Sequence, residues 1–354
     1  MATPPPTPPP PPPPADFCTV ISESRRILKA HSRHFLALSV LFLLPLSFAV
    51  TVYPTLHRLL LLLSSSSSNP YHAQALLRRS PLLLNQPPQR QQSGVDAGSV
   101  LVSVGYTSFL TLLSIFATCS ITHSVVQGFY GRPVKLLSAI KSIGTSFFPL
   151  LATLICTQAI ISLIAIASGI LGFLILKGAE LVIGHEISHS SPFFLGLVAS
   201  IAVVLVLVLA YLQVQWVLAN VIVVAESGFG FYPLRRSAYL VKGMRGVALS
   251  LTLFFGALSG ILVWTITLST SESAIDGNEW KRWHFVVQIV ATTSSLAMLM
   301  LLSLAANVVL YMYCKAVHGE LAMEIAEEFA REYVSLPFDD EKVPHVVSVT
   351  HMLD

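Results

Sequence analysis

Six long apolar runs, separated by polar or basic segments, constrain this chain more than any other feature. A helix rises about 1.5 Å per residue, so about 20 apolar residues cross the roughly 30 Å hydrocarbon core of a bilayer. Each run is long enough, or nearly so, for one crossing. The sequence therefore predicts an all-α polytopic membrane protein with six transmembrane helices, at residues 35–54, 100–127, 146–176, 194–225, 247–269 and 284–314.

The composition supports a membrane protein and excludes several other classes. Of the 354 residues, 54% are hydrophobic and only 11% are charged, whereas soluble proteins average about 25% charged residues. The mean hydropathy is +0.71. These values exclude a soluble enzyme, a nucleic-acid-binding module and a disordered scaffold. The net charge of +3 is small and requires no acidic partner.

A basic amphipathic segment precedes the first, third and fifth apolar runs. Arg25, Lys135 and Arg235 mark these segments and lie 110 and then 100 residues apart. We interpret the pattern as three repeats, each an amphipathic interfacial helix followed by a two-span hairpin. The predicted repeats are 17–127, with a low-complexity loop at 64–99, then 128–225 and 226–315.

Two tails flank the predicted repeats. Residues 1–16 are predicted to be a disordered tail, because ten of the first fourteen residues are proline and such a tract cannot pack a core. Residues 316–354 are predicted to hold an acidic amphipathic helix, with Leu321, Ile325 and Phe329 on one face, followed by a tail. Both tails are candidate sites for a protein partner.

The distribution of positive charge predicts the orientation of the chain. With six spans and a cytosolic N-terminus, 14 of the 21 Lys and Arg residues fall on the cytosolic side, as the positive-inside rule requires. We therefore expect an integral protein of the endomembrane system or plasma membrane, with both termini cytosolic. The seven on the other side are Arg58, Arg78, Arg79, Arg90, Lys177, Lys281 and Arg282.

Glu226, at the end of the fourth run, is the most informative charged residue. A carboxylate at a membrane edge is costly unless it is paired or hydrated, and Arg235 follows nine residues later. We predict a structural ion pair between Glu226 and Arg235 or Arg236. The alternative role of the basic segments is to bind anionic lipid headgroups, through Arg25, Arg26, Lys29, Lys135, Lys141, Arg235, Arg236 and Lys242.

The same segment carries a family resemblance. Trp216, the run 221–226, Leu234-Arg235-Arg236-Ser237 and Leu240-Val241-Lys242-Gly243 resemble a pattern in the glycerophosphodiester phosphodiesterase membrane domain and in YciC-like proteins. They also resemble a group of uncharacterised plant six-span proteins. The resemblance implies an all-helical membrane bundle. It does not imply phosphodiesterase activity, which in the bacterial enzymes belongs to a separate soluble domain.

His185-Glu186-Ile187-Ser188-His189 is the candidate metal motif. On a helix, His185 and His189 would share a face and could bind zinc, with Glu186 as the base. Against this, no third ligand is evident, Gly184 weakens the helix and Pro192 follows closely. The alternative is a structural polar connector between the third and fourth spans.

The remaining residues suggest no catalytic centre and no cofactor. Cys314 ends an apolar run beside Lys315, where it is either a packing residue or a site of palmitoylation. No charged residue lies near the middle of any run, as a transporter or channel would typically require. We therefore expect a membrane scaffold or adaptor with anionic-lipid contacts. The alternatives are a membrane zinc metallopeptidase using His185 and His189 and, third, a transporter or channel.

The orientation gives a first prediction. A cysteine introduced at Ser138, in the connection before the third span, should be protected from an impermeant thiol reagent in sealed cells. It should react after the cells are permeabilised, because the connection is expected to face the cytosol. Labelling of that cysteine in intact cells would contradict the orientation.

Overall fold

A computed structural model of the chain describes residues 16–53, 56, 97–132, 135–183, 191–273 and 279–334. All regular structure in these residues is helical. The ten helices are α1 (Phe17–Ala30), α2 (Ser32–Tyr53), α3 (Ala97–Phe129), α4 (Leu136–Ile183), α5 (Pro192–Gln215), α6 (Ala219–Glu226), α7 (Phe231–Leu240), α8 (Arg245–Ser273), α9 (Glu279–Val317) and α10 (Glu320–Val334).

Among the described residues, six helical segments are long and apolar enough to cross a membrane, which confirms the predicted all-α polytopic class. Their positions agree with the six apolar runs to within a few residues at most ends, since hydrophobicity and length alone define them. The third is the exception, because its helix begins ten residues early. The spans are Ser32–Tyr53, Val100–Phe129, Leu136–Leu181, Phe194–Glu226, Arg245–Leu268 and Val286–Val317.

The first span contains a π-helical turn at Ser39–Leu43, just before Pro45. Proline has no amide hydrogen, and its ring crowds the carbonyl four residues earlier, here that of Leu41. A wider turn at this point relieves the crowding. Pro45 therefore disturbs the span without ending it.

The last span, in α9, is the centre of the bundle. It packs against α1, α3, α6, α8 and the π-helical turn of α2. Its segment from Ala305 to Cys314 is almost wholly buried, with Tyr311 only 1% exposed. The small side chains of Ala305 and Ala306 let neighbouring helices approach closely, as is usual where membrane helices pack.

Helix α1 covers one end of this bundle. Its buried residues Val20, Ser24 and Ile27 share one face, which packs on α9 and α3. Gly128 permits the close approach to α3, because a Cβ there would lie 3.1 Å from Ile27 Cγ2. The apolar face of the first predicted interfacial helix is therefore covered by protein.

The second basic segment does not form a helix of its own, contrary to the repeat pattern. Lys141 lies inside α4, which runs unbroken from Leu136 to Ile183. The first segment ends at a break at His31, and the third ends in a 3₁₀ turn at Val241–Gly243. No comparable break follows Lys141, since a single glycine, Gly144, weakens a helix without ending it.

The fourth span is interrupted between α5 and α6, and Ser237 of α7 fills the interruption. Its hydroxyl donates to the Gln215 carbonyl at 2.7 Å and accepts from the Leu218 amide at 3.2 Å. Ser237 is fully buried. It thus satisfies backbone groups that a broken span would otherwise leave unpaired in an apolar environment.

Replacing Ser237 should therefore weaken the fold. We expect Ser237→Ala to lower the free energy of unfolding by about 1–3 kcal/mol, the usual cost of unpaired buried polar groups. The measurement is reversible unfolding in mixed micelles. Ser250→Ala is the matched control, because the one bond of Ser250 among the described residues is to the Val247 carbonyl of its own helix; its effect should stay within about 0.5 kcal/mol. Equal effects would refute the role of Ser237.

Candidate functional site

The candidate site begins where the chain turns back after the fourth span. Ser227 adopts a left-handed conformation with φ of 55°, and Gly230 has φ of 70°. Between them, a Cβ at Gly228 would lie 2.5 Å from Tyr232 Cδ1. The turn therefore requires a small residue at 228 and favours glycine at 230. It folds α7 against the end of the bundle and brings Arg236 back to Glu226.

Glu226 lies at the centre of a polar cluster, which we call the junction. One carboxylate oxygen accepts a hydrogen bond from the Tyr311 hydroxyl at 2.8 Å. The other accepts from Tyr232 at 3.2 Å and lies 3.5 Å from Arg236 Nε. The Glu226 side chain is 16% exposed. The carboxylate is thus held at the membrane edge by three neighbours, which offsets its desolvation.

Arg236 joins this carboxylate to a second one. Its two terminal nitrogens donate to the two carboxylate oxygens of Glu320, the first at 3.0 Å. Such a bidentate arrangement is the strong geometry for a guanidinium and a carboxylate. Arg236 also lies over the Tyr239 ring, 5.9 Å from its centroid. A single guanidinium therefore connects the end of α6, helix α7 and the start of α10.

The protonation states follow from these contacts. Burial alone would lower the pKa of Arg236, but the hydrogen bonds to Glu320 and the charges of both carboxylates raise it. Burial and the Glu226 carboxylate raise the pKa of Tyr232. The guanidinium therefore stays charged and the Tyr232 phenol stays a hydrogen-bond donor at neutral pH.

The structure thus places the predicted ion pair at Glu226 and Arg236, not at Arg235. Arg235 is exposed, and the described ion pairs of Glu226 do not include it. Helical phase explains the choice, since Pro233, Leu234, Ser237 and Leu240 are buried and Arg235 lies on the opposite side. The phase of this apolar stripe can be read from the sequence. The contacts of Tyr311 with Glu226 and of Glu320 with Arg236 cannot, because the partners lie 85 and 84 residues apart.

A second ion pair continues the junction along α10. Lys315 Nζ lies 2.5 Å from a Glu324 carboxylate oxygen and 5.6 Å from the Tyr311 ring centroid. This pair fastens α10 to the end of α9, and the Arg236–Glu320 pair fastens the start of α10 to α7. The acidic helix is therefore attached through its own carboxylates.

The other candidate residues have separate outcomes. His185, Glu186 and His189 lie outside the described residues, so the metal motif stays a prediction. Within the described part of the chain, no group of three or more His, Cys, Asp or Glu residues could hold a metal ion. Cys314 is fully buried in the core. Since palmitoylation requires an accessible thiol, the packing interpretation of Cys314 is the one that fits.

The fold and the junction define a class, a six-span all-α membrane protein whose spans and terminal helices are tied together by a partly buried ion network. The chain belongs to the family described as domain of unknown function DUF8558, which it matches over residues 15–343. No curated protein and no solved structure matches it. The match encloses every described helix, so the family corresponds to the whole bundle. The resemblance to the glycerophosphodiester phosphodiesterase membrane domain stays a prediction.

The junction gives a prediction for Glu226. Glu226→Gln should lower the free energy of unfolding by about 1–3 kcal/mol, because it removes a partly buried charge interaction. In a double-mutant cycle, Glu226→Gln and Arg236→Gln should couple by more than about 0.5 kcal/mol.

Arg235→Gln is the matched control, with the same loss of charge one residue away. Its effect should add to that of Glu226→Gln without coupling. Additivity with Arg236 as well would mean that the Glu226 carboxylate is merely hydrated.

Proposed function

We propose that this protein is a non-catalytic membrane scaffold that binds anionic lipid headgroups through the outward face of α1. The single observation that carries the proposal is the composition of that face. It forms a surface groove that combines apolar and basic side chains, the combination that interfacial helices use on anionic membranes. The groove is lined by Phe17, Cys18, Ile21, Ser22, Arg25, Arg26 and Lys29.

The free positive charge of this groove supports the assignment. Arg26 lies 2.6 Å from Glu23, but Arg25 and Lys29 are exposed and form no ion pair among the described residues. Phe17 is fixed by an edge contact with Phe254, with ring centroids 5.4 Å apart. Because the other face of α1 is docked on the bundle, the groove is held in place.

The charge that remains at α7 is smaller than the sequence suggested. Of the pair expected to contact lipid there, Arg236 is bound to two carboxylates, whereas Arg235 forms no ion pair in the described part of the chain. Lys135, Lys141 and Lys242 are exposed. These residues add to the positive potential of the same membrane face in the predicted topology. We therefore propose α1, and not the Arg235–Arg236 pair, as the main lipid contact.

The electrostatic attraction is of the right size for this role. Anionic leaflets carry a surface potential of about −30 mV, and each Lys or Arg near them contributes about 1 kcal/mol. The attraction fades within a Debye length of about 8 Å, so only residues at the membrane surface contribute. With both termini cytosolic, α1 faces the anionic leaflet of the plasma membrane or an endomembrane.

The scaffold role is supported by α10. Its first turn is tied to the junction, while Met323 is 74% exposed and Glu327 is also exposed. An acidic helix with exposed apolar residues suits a protein partner with a basic surface. The zinc metallopeptidase alternative depends on His185 and His189, outside the described residues, and stays a prediction.

The lipid contact is tested by native mass spectrometry of the purified protein. Arg25→Gln/Lys29→Gln should reduce affinity for anionic lipid about 30-fold, since two charges at about 1 kcal/mol each are lost. Arg235→Gln/Lys242→Gln removes the same charge from exposed positions elsewhere at the same end and should have a smaller effect. Equal retention of anionic lipid in all three proteins would overturn the proposal and leave the basic residues as topology signals.

A further inference from the structure

A cavity of about 360 Å³ lies between the first, second, fifth and sixth spans, beside Val217 in the interruption of the fourth. This volume is at the lower end of ligand pockets, which range over about 300–1,000 Å³. Asn307, on its wall, is about 15 Å along α9 from Val317 at 1.5 Å per residue. The cavity is therefore near the middle of the predicted membrane.

The lining combines an apolar wall with neutral polar groups. Leu251, Phe255 and Met300 are among the apolar side chains. None of the described lining side chains is charged. The polar residues of the lining are Ser114, Thr118, Thr252, Ser259, Ser303 and Asn307.

Four of these polar side chains have no partner in the described part of the chain. Thr252 and Ser259 bond carbonyls of their own helix at 2.8 and 2.7 Å, as hydroxyls in membrane helices usually do. Ser114, Thr118, Ser303 and Asn307 make no hydrogen bond with described residues. Thr118 is only 7% exposed.

Unpaired polar groups at this depth are costly, because no bulk water reaches the bilayer core. Four of them around one cavity indicate a ligand that supplies both hydrogen-bond donors and acceptors. The absence of charge on the wall excludes a phosphate-bearing headgroup, whose charge would be left uncompensated. The ligand must also enter from the bilayer, so it is a neutral lipid.

We propose that this cavity binds the glycerol end of a diacylglycerol. Such a lipid has one hydroxyl and two ester carbonyls, which match the two donors and one acceptor of the Asn307 amide and the hydroxyls of Thr118 and Ser303. Ser114 is exposed, and the acyl chains leave on its side. A sterol offers a single hydroxyl and would leave most of these groups unpaired.

The test uses a diacylglycerol with a photoreactive diazirine beside one ester, incorporated in phosphatidylcholine nanodiscs with the full-length protein. Saturable labelling should map to α3, α8 or α9 near the cavity, and unlabelled diacylglycerol should compete. Asn307→Leu/Thr118→Val should reduce the saturable labelling at least tenfold. Thr111→Val is the matched control, because Thr111 bonds the Thr107 carbonyl of its own helix.

A second measurement separates loss of binding from loss of fold. Diacylglycerol should raise the Tm of the wild type and the control but not that of the double variant, which should still unfold cooperatively. Labelling that does not saturate, labelling unchanged in the double variant, or equal competition by cholesterol would each overturn the proposal. The double variant should retain as much anionic lipid as the wild type. The measurement therefore distinguishes a failure of the cavity proposal from a failure of the lipid site proposed on α1.

Discussion

The Arg236 guanidinium between the Glu226 and Glu320 carboxylates is the contact on which the end of the bundle depends. It is the point where the fourth span, helix α7 and helix α10 meet, and Tyr311 links it to the buried sixth span. Two carboxylates and one guanidinium leave one net negative charge, which the Tyr311 and Tyr232 hydroxyls help to stabilise. Breaking such a cluster by removing one partner is costlier than replacing the whole cluster with apolar side chains.

Ser237 extends the same arrangement into the membrane. It follows Arg236 directly, and its hydroxyl joins the Gln215 carbonyl and the Leu218 amide across the interruption of the fourth span. Arg236 thus belongs to the charge cluster, and the next residue, Ser237, forms hydrogen bonds with backbone groups of the fourth span. Helix α7 is therefore a structural part of the fourth span as well as a surface helix, and its position depends on both contacts.

The sequence predicted the class of fold and one half of the junction. Six apolar runs of sufficient length determine the spans, because burying a backbone in lipid leaves few alternatives to a helix. The pairing of Glu226 with a nearby arginine followed from the cost of a lone carboxylate. The roles of Tyr311 and Glu320 depend on how distant segments pack, which a single sequence does not encode in any local pattern. The repeated basic motif predicted a separate helix before the third span. That motif could not reveal that α4 continues through this segment without a break.

The bundle separates charge from neutral polarity by depth. At its end, Arg25 and Lys29 are exposed and form no ion pair with described residues, while Arg236 is neutralised by protein carboxylates. Around the cavity in its middle, the described polar groups are hydroxyls and one amide without charge. Most hydroxyls of the described spans, such as those of Ser120 and Ser124, donate hydrogen bonds to carbonyls of their own helix. Thr122 and Thr293 also lack a partner among the described residues, but Thr118 and Asn307 differ from them in lining the same cavity. Thr118 and Asn307 lie on two helices, α3 and α9, that pack directly on each other, so a ligand bound between them would add hydrogen bonds between these two helices.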